Sequence, residues 1–182
     1  MITYYIFHLK EGWIGLAGTP EGLIRITLPQ KSREYAEAII RKGLNCAEYI
    51  ETGFESAVAQ ITEYFMGSRY SFSLELDFRG TSQFARSVWE AVREIPYGEV
   101  RTYAEVARII GNPRSSRAVG QALKYNPFPV IIPCHRVIAV RGELGGFVGG
   151  LELKSYLLNW RKNTNRIFTD RDNPFISKHL DF

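Results

Sequence analysis

The chain has 182 residues, is 45% hydrophobic and carries a formal net charge of +4, which is enough apolar material for one good core or two small ones and so for one or two compact domains. No run approaches the roughly 18 consecutive apolar residues of a membrane span, and the start "MITYYIFHLKEGW" lacks the basic flank and small-residue cleavage site of a signal peptide, so a cytoplasmic protein without membrane association is expected. Cys46 and Cys134 lie far apart with no CxxC pair, and His8, His135 and His179 are scattered, so neither a disulfide framework nor a metal site is indicated.

In chain order, residues 2–9 (ITYYIFHL), 13–17 (WIGLA) and 23–28 (LIRITL) set β-branched and aromatic residues between Gly-containing turns, the pattern of a small antiparallel sheet. Helical stretches follow near 32–42 and 54–66. From residue 81 the pattern is helical: Phe84, Val88, Val92 and Ile95 recur at steps of four, four and three before "PYGE" interrupts them. The expected fold is α+β: an N-terminal α/β domain over residues 1–77, a mostly helical domain over 78–161, and a polar tail over 162–182.

Within the second domain, Thr102 followed by Glu105 reads as a capping box, and Val106, Ala107 and Ile110 form an inward face until Gly111-Asn112-Pro113 stops the helix. A second helix near 114–125 ends at Asn126-Pro127. A helix-turn-helix and a packed αα-hairpin both satisfy this spacing. Ala118, Gly120 and Ala122 give the second helix a low profile with Arg117 as a long side chain at its start, suited to a narrow groove and equally to close helix packing. Charge is uneven along the chain. Residues 1–80 carry 8 Lys+Arg against 10 acids (−2), residues 81–161 carry 11 against 6 (+5), and the tail carries 4 against 3 (+1). An arginine-rich half suits phosphate contacts, and it is also what a solvated face looks like.

The stretch "NPFPVIIPCHRVI", residues 126–138, has three prolines that exclude a regular helix and favour an extended, rigid presentation of Cys134. A free cysteine in an apolar run is often a buried filler. Against that, His135 and Arg136 follow at once, and nearby positive charge lowers a thiol pKa. The five glycines of "RGELGGFVGG" (141–150) supply a loop able to wall a pocket.

Taken together, "FRGTSQFARSVWEAVREIPYGEVRTYAEVARIIGNPRSSRAVGQALKYNPFPVIIPCHRVI" and "GGFVGGLELKSYLL" closely resemble the O6-alkylguanine-DNA alkyltransferases, the methylated-DNA–protein-cysteine methyltransferases. The resemblance covers about residues 78–161, and residues 162–182 match nothing in the pattern. It implies a ribonuclease-H-like N-terminal domain and a winged-helix-like domain with a helix-turn-helix. It implies single-turnover repair without cofactor, in which Cys134 takes the alkyl group from guanine O6 as a thioether and His135 acts as a base through a water. Asn126 would bridge the recognition helix to the active-site segment, and Lys154 would help the guanine leave. Tyr103 would crowd the target phosphate, Arg117 would fill the gap left by a flipped base, and Ser115, Ser116, Gly120 and Lys124 would face the DNA. Leu123 and the loop Leu144, Gly145, Gly146, Phe147, Val148 and Gly149 would line the pocket. The implied partner is double-stranded DNA containing O6-alkylguanine, approached from the minor groove by a monomer. A non-catalytic alkylguanine sensor is the alternative, disfavoured by the presence of the acceptor cysteine, and a cysteine hydrolase is weaker because no second histidine or oxyanion motif accompanies Cys134.

Three positions depart from the family pattern. Phe147 stands for a tyrosine and Val148 for a serine, which makes the pocket more apolar. Arg161 replaces the glutamate that orients the active-site histidine, so either a fixed positive charge lies there or another acid, such as Glu143 or Glu152, partners His135.

Overall fold

The structure is a computed structural model that describes residues 1–159. It divides into two compact units: residues 1–82 together with 126–132, and residues 83–125 together with those from 133 onward.

The first unit holds β1 (Ile2–Leu9), β2 (Gly12–Thr19), β3 (Gly22–Ile26), α1 (Arg33–Arg41), β4 (Ala47–Tyr49) and α2 (Glu55–Phe65). The strands form one sheet in the order β3-β2-β1-β4. β1, β2 and β3 run as an antiparallel meander, while β4 lies parallel to β1 with Ile2 opposite Ala47. α1 begins at Ser32, whose side chain accepts from Tyr35 N at 3.2 Å. It buries Ala36 and Ile40 against Tyr4, Ile6 and Ala17 of the sheet. The three expected strands and two expected helices are present. β4 was not foreseen: three residues show no alternation to read, and their pairing exists only because β1 offers a free edge.

Two backbone ties shape the rest of this unit. Leu23 N donates to Glu75 O at 2.9 Å and Asp77 N to Leu23 O at 2.7 Å, which draws residues 75–77 along β3. Asp77 then accepts from Arg79 Nη2 at 2.6 Å and from the Thr19 hydroxyl at 3.0 Å. The second tie is the 126–132 loop. Ile26 N donates to Pro127 O at 2.8 Å, and the fully buried Phe128 meets Phe78 edge-on at 5.4 Å. Asn126 closes the loop on itself: Nδ2 donates to Ile132 O at 3.0 Å, and Oδ1 accepts from Phe128 N at 2.9 Å. Val130 is held at φ 76°, a strained conformation for a β-branched residue.

The second unit comprises α3 (Gln83–Arg93), β5 (Arg101–Thr102), α4 (Tyr103–Ile109), α5 (Ser116–Lys124), a single 3-10 turn over Cys134–Arg136, β6 (Val137–Ile138) and α6 (Gly150–Asn159). The apolar face read from the sequence is the buried one: Val88, Val92 and Ile95 are in the core. Trp89 Nε1 donates to Ala122 O at 2.9 Å, which satisfies a carbonyl in the last turn of α5. The Thr102–Glu105 capping box is made in both directions. The extended presentation expected of Cys134 is not what forms. Pro133 occupies the cap of the 3-10 turn, where its missing N–H costs nothing, and Arg136 N donates back to Pro133 O at 2.8 Å.

The Arg79 bonds hold the Asp77 carboxyl near 2, below its usual 3.8. A lowered carboxyl pKa stabilises the fold above about pH 4, and this contribution is lost as pH falls toward 2. Asp77→Asn is therefore expected to lower the melting temperature at pH 7 by roughly 2–4 °C, with the difference from wild type shrinking on acidification. Melting curves across that range that stay equally separated would remove Asp77 from this role.

Candidate active site and nucleic-acid interface

The site is built around one turn of backbone. Cys134 is 8% exposed, and His135 and Arg136 on the same turn are buried with it. β6 follows directly and pairs in parallel with β5, Arg101 opposite Val137. This places the turn beside the start of α4, where Tyr103 is the first helical residue.

Lys154 comes from α6 and is fully buried. Its Nζ donates to Val137 O at 2.6 Å and also to Leu144 O, so one ammonium joins β6 to the glycine-rich loop. Two of its three protons are thereby committed. Burial pulls the ammonium down to about 8 from the usual 10.5, and negative charge on Cys134 acts in the opposite direction. The coupling is mutual: the ammonium favours the thiolate form of Cys134 as much as the thiolate favours the ammonium.

Tyr103 is raised above its usual range, first by burial and then by charge on Cys134, and so remains a neutral phenol. Its hydroxyl donates to Gly146 O at 3.4 Å. The ring lies against Gly120 of α5 on one side and Gly145 on the other. A Cβ at Gly145 would come within 3.0 Å of the tyrosine ring and hydroxyl, and its φ of +65° suits glycine. The loop is further closed by Ala139 N donating to Glu143 O at 2.8 Å and by Gly150 N donating to Phe147 O at 3.1 Å.

α4 and α5 are joined by a turn in which Asn112 O accepts both Ser115 N and the Ser115 hydroxyl. α5 buries Val119, Ala122 and Leu123 and leaves Arg117, Ala118, Gln121 and Lys124 exposed. The exposed face is thus low in its middle and cationic at its ends.

The structure brings Cys134, His135, Lys154, Tyr103, Gly120 and the 144–149 loop into one neighbourhood of the second unit. Leu123 is core. Within the loop Leu144, Gly145 and Phe147 are half-buried, while Gly146, Val148 and Gly149 are exposed. Ser115 and Ser116 are half-buried at the start of α5. Asn126 makes its bonds inside the 126–132 loop of the first unit. Glu143 and Glu152 are exposed, and Arg161 lies outside the described residues. Sequence reasoning read His135 and Arg136 as a basic pair next to the thiol but did not foresee the burial of Arg136 or the Tyr103–Gly145 packing. The only local signal for the second is a glycine at a loop position facing an aromatic.

Fold and site define a mixed α+β protein carrying one buried thiol, electrostatically coupled to a lysine and a tyrosine, behind a pair of helices with a basic outer face. Residues 83–162 match the family described as 6-O-methylguanine DNA methyltransferase, DNA binding domain. The methylated-DNA–protein-cysteine methyltransferase of Methanosarcina acetivorans is 43% identical over 85% of this chain and 95% of its own length. That of Methanosarcina barkeri is 49% identical over 90% and 99%. Among solved structures, Mycobacterium tuberculosis OGT in complex with DNA superposes with a TM-score of 0.74 at 39% identity, covering 86% of this chain and 91% of that one. The chain belongs to the methylated-DNA–protein-cysteine methyltransferase family.

Because the folded lysine binds fewer protons than the unfolded one between about pH 8 and 10.5, burial of Lys154 opposes folding below that window and ceases to do so above it. The melting temperature of wild type relative to Lys154→Met is accordingly expected to rise as pH increases from 8 to 10.5. A difference that stays flat across this range would mean that Lys154 keeps an ordinary lysine pKa in the folded protein and that burial does not disfavour its charged form.

Proposed function

We propose that the protein repairs DNA by direct reversal, moving an alkyl group from O6 of guanine to Cys134 in a single turnover. The observation that carries this reading is the buried thiol of Cys134, whose charge is felt by both Lys154 and Tyr103. In the reaction a bond forms between Cys134 Sγ and the alkyl carbon as the bond from that carbon to O6 breaks. The electron pair passes to the guanine, which gains a proton, and the thiol proton is lost to His135 through a water. Lys154 supports the thiolate and, with its remaining N–H, the departing guanine. The product is a thioether, which has no route back to a free thiol, so each molecule acts once.

An alkyl group on guanine O6 lies within the base stack, and a buried thiol reaches it only after the nucleotide is extruded. In this reading α5 is the recognition helix and enters the minor groove. Its low face at Ala118 and Gly120 permits close approach, Arg117 fills the vacated stack, and Tyr103 crowds the phosphate of the flipped nucleotide. Ser115, Ser116 and Lys124 contact the backbone, and Leu144 to Gly149 wall the base. Phe147 and the 69% exposed Val148 make that wall apolar. Asn126 steadies the segment leading into Pro133 and Cys134 through its two loop bonds.

The same reading extends to architecture. The sheet order β3-β2-β1-β4, with β4 parallel to β1, supports a ribonuclease-H-like first domain, and the short β5–β6 pair beside α4 and α5 supports a winged-helix-like second one. We place their boundary at 77–78, close to where the first compact unit leaves off at Ser82. The protein acts as a monomer in the cytoplasm. Among the described residues no helix is long and apolar enough to cross a membrane.

Mixing the protein with an O6-methylguanine duplex is expected to add one methyl group per molecule, mapped by peptide mass to Cys134. A methyl on Cys46, or an intact lesion with no gain in mass, would defeat the acceptor assignment. Turnover beyond one equivalent would indicate a hydrolase.

Arg117→Ala separates flipping from chemistry. Repair of duplex DNA should slow by about tenfold or more while reaction with free O6-benzylguanine stays within about twofold, since only the duplex reaction includes extrusion. Equal losses on both substrates would assign Arg117 a structural role.

A further inference from the structure

Arg136 follows Cys134 by two residues and has no part in the reaction described above, yet it is 5% exposed. A guanidinium is charged at all accessible pH, and removing it from water is costly unless it is paired. Among the described residues no carboxylate forms an ion pair with it. Its Nη1 instead donates to Ile95 O at 2.6 Å, just beyond the end of α3. The guanidinium lies 5.7 Å from the centre of the Tyr97 ring. Its Nε is buried and makes no hydrogen bond among the described residues.

Backbone carbonyls and an aromatic face stabilise a cation without neutralising it. The chain therefore keeps a permanent positive charge on the same 3-10 turn as the thiol. That turn is otherwise short: Arg136 N bonds to Pro133 O and Val137 N to Cys134 O. One turn of 3-10 helix has little stability of its own. Lys154 holds the chain on its C-terminal side through Val137 O. Arg136 supplies the second tie, to the connection between α3 and β5.

We propose that Arg136 is a positioning residue for the transfer step, fixing the Cys134 turn against Ile95 and Tyr97 while keeping an unneutralised cation beside the thiol. The proposal rests on Cys134 being the alkyl acceptor. Lysine could restore the charge but not the planar guanidinium that donates to the Ile95 carbonyl and lies over the Tyr97 ring.

The test uses the full chain and the variants Arg136→Met and Arg136→Lys, each read for folded fraction, binding to undamaged duplex DNA, rate of iodoacetamide alkylation at Cys134 against pH, followed by peptide mass to separate it from the exposed Cys46, and maximal rate of methyl transfer from an O6-methylguanine duplex. Arg136→Met is expected to bind DNA within about twofold of wild type, because α5 carries the interface, and to lose about tenfold or more in transfer rate, because small misplacements of a nucleophile are costly. Its iodoacetamide profile should move to higher pH. Arg136→Lys should return that profile toward wild type while recovering only part of the transfer rate. The proposal is overturned if Arg136→Met transfers methyl at the wild-type rate, if its thiol profile is unmoved, or if losses in transfer only match losses in folded fraction. Should the methionine variant not fold, the lysine variant decides: wild-type transfer and profile together would exclude the positioning role. The iodoacetamide measurement does not involve DNA repair, so failure of the acceptor assignment, seen as no methyl gain by wild type, is distinguishable from failure of this inference.

Discussion

Holding a reactive thiol out of water requires cations to be held there with it. Cys134 is buried together with Arg136 of its own turn and with Lys154, whose ammonium is favoured by charge on the thiol. The hydrogen bonds of these two cations among the described residues run to main-chain carbonyls: Val137 O and Leu144 O for Lys154, Ile95 O for Arg136. A carboxylate in this pocket would pair with the lysine and cancel its influence on the thiol, whereas a carbonyl dipole satisfies the N–H groups and leaves the net charge in place. The same bonds also fasten the turn, β6 and the glycine-rich loop together. Electrostatics and positioning are thus supplied by one set of contacts.

The helical layer answers a different constraint. A helix that presses close to a surface needs small side chains outward and something rigid behind it. α5 meets the first need with Ala118 and Gly120, and the second with Val119, Ala122 and Leu123 packed inward and Trp89 bonded to Ala122 O. Tyr103 connects this helix to the loop that walls the thiol, since its ring rests on Gly120 and Gly145 and its hydroxyl reaches Gly146 O.

Much of this was legible in the chain because its causes are local. The capping box at Thr102–Glu105, the stop at Gly111-Asn112-Pro113, and the inward face of Val88, Val92 and Ile95 each depend on residues a turn or two apart. The family was legible too, since "IPCHRV" after "NP" is a specific signature. The shape of the Cys134 backbone was not. Prolines at 127, 129 and 133 argued for an extended, rigid presentation, but Pro133 sits at the cap of a helical turn, where its restricted φ and absent N–H are compatible with helix. β4 escaped notice because its pairing with β1 is non-local and its three residues carry no pattern.

By itself the sequence determined most of the helices, the main strands, the basic second half and the family resemblance, because these follow from short-range propensity, periodicity and a motif written in consecutive residues. Only the tertiary structure decided which charges are withdrawn from water. Arg136 and Arg117 look alike in the chain, yet one is sealed against Ile95 O and Tyr97 while the other stands exposed on α5. Lys154 reaches Val137 O across 17 residues of chain. Burial depends on what other segments cover, and that is settled when distant elements pack.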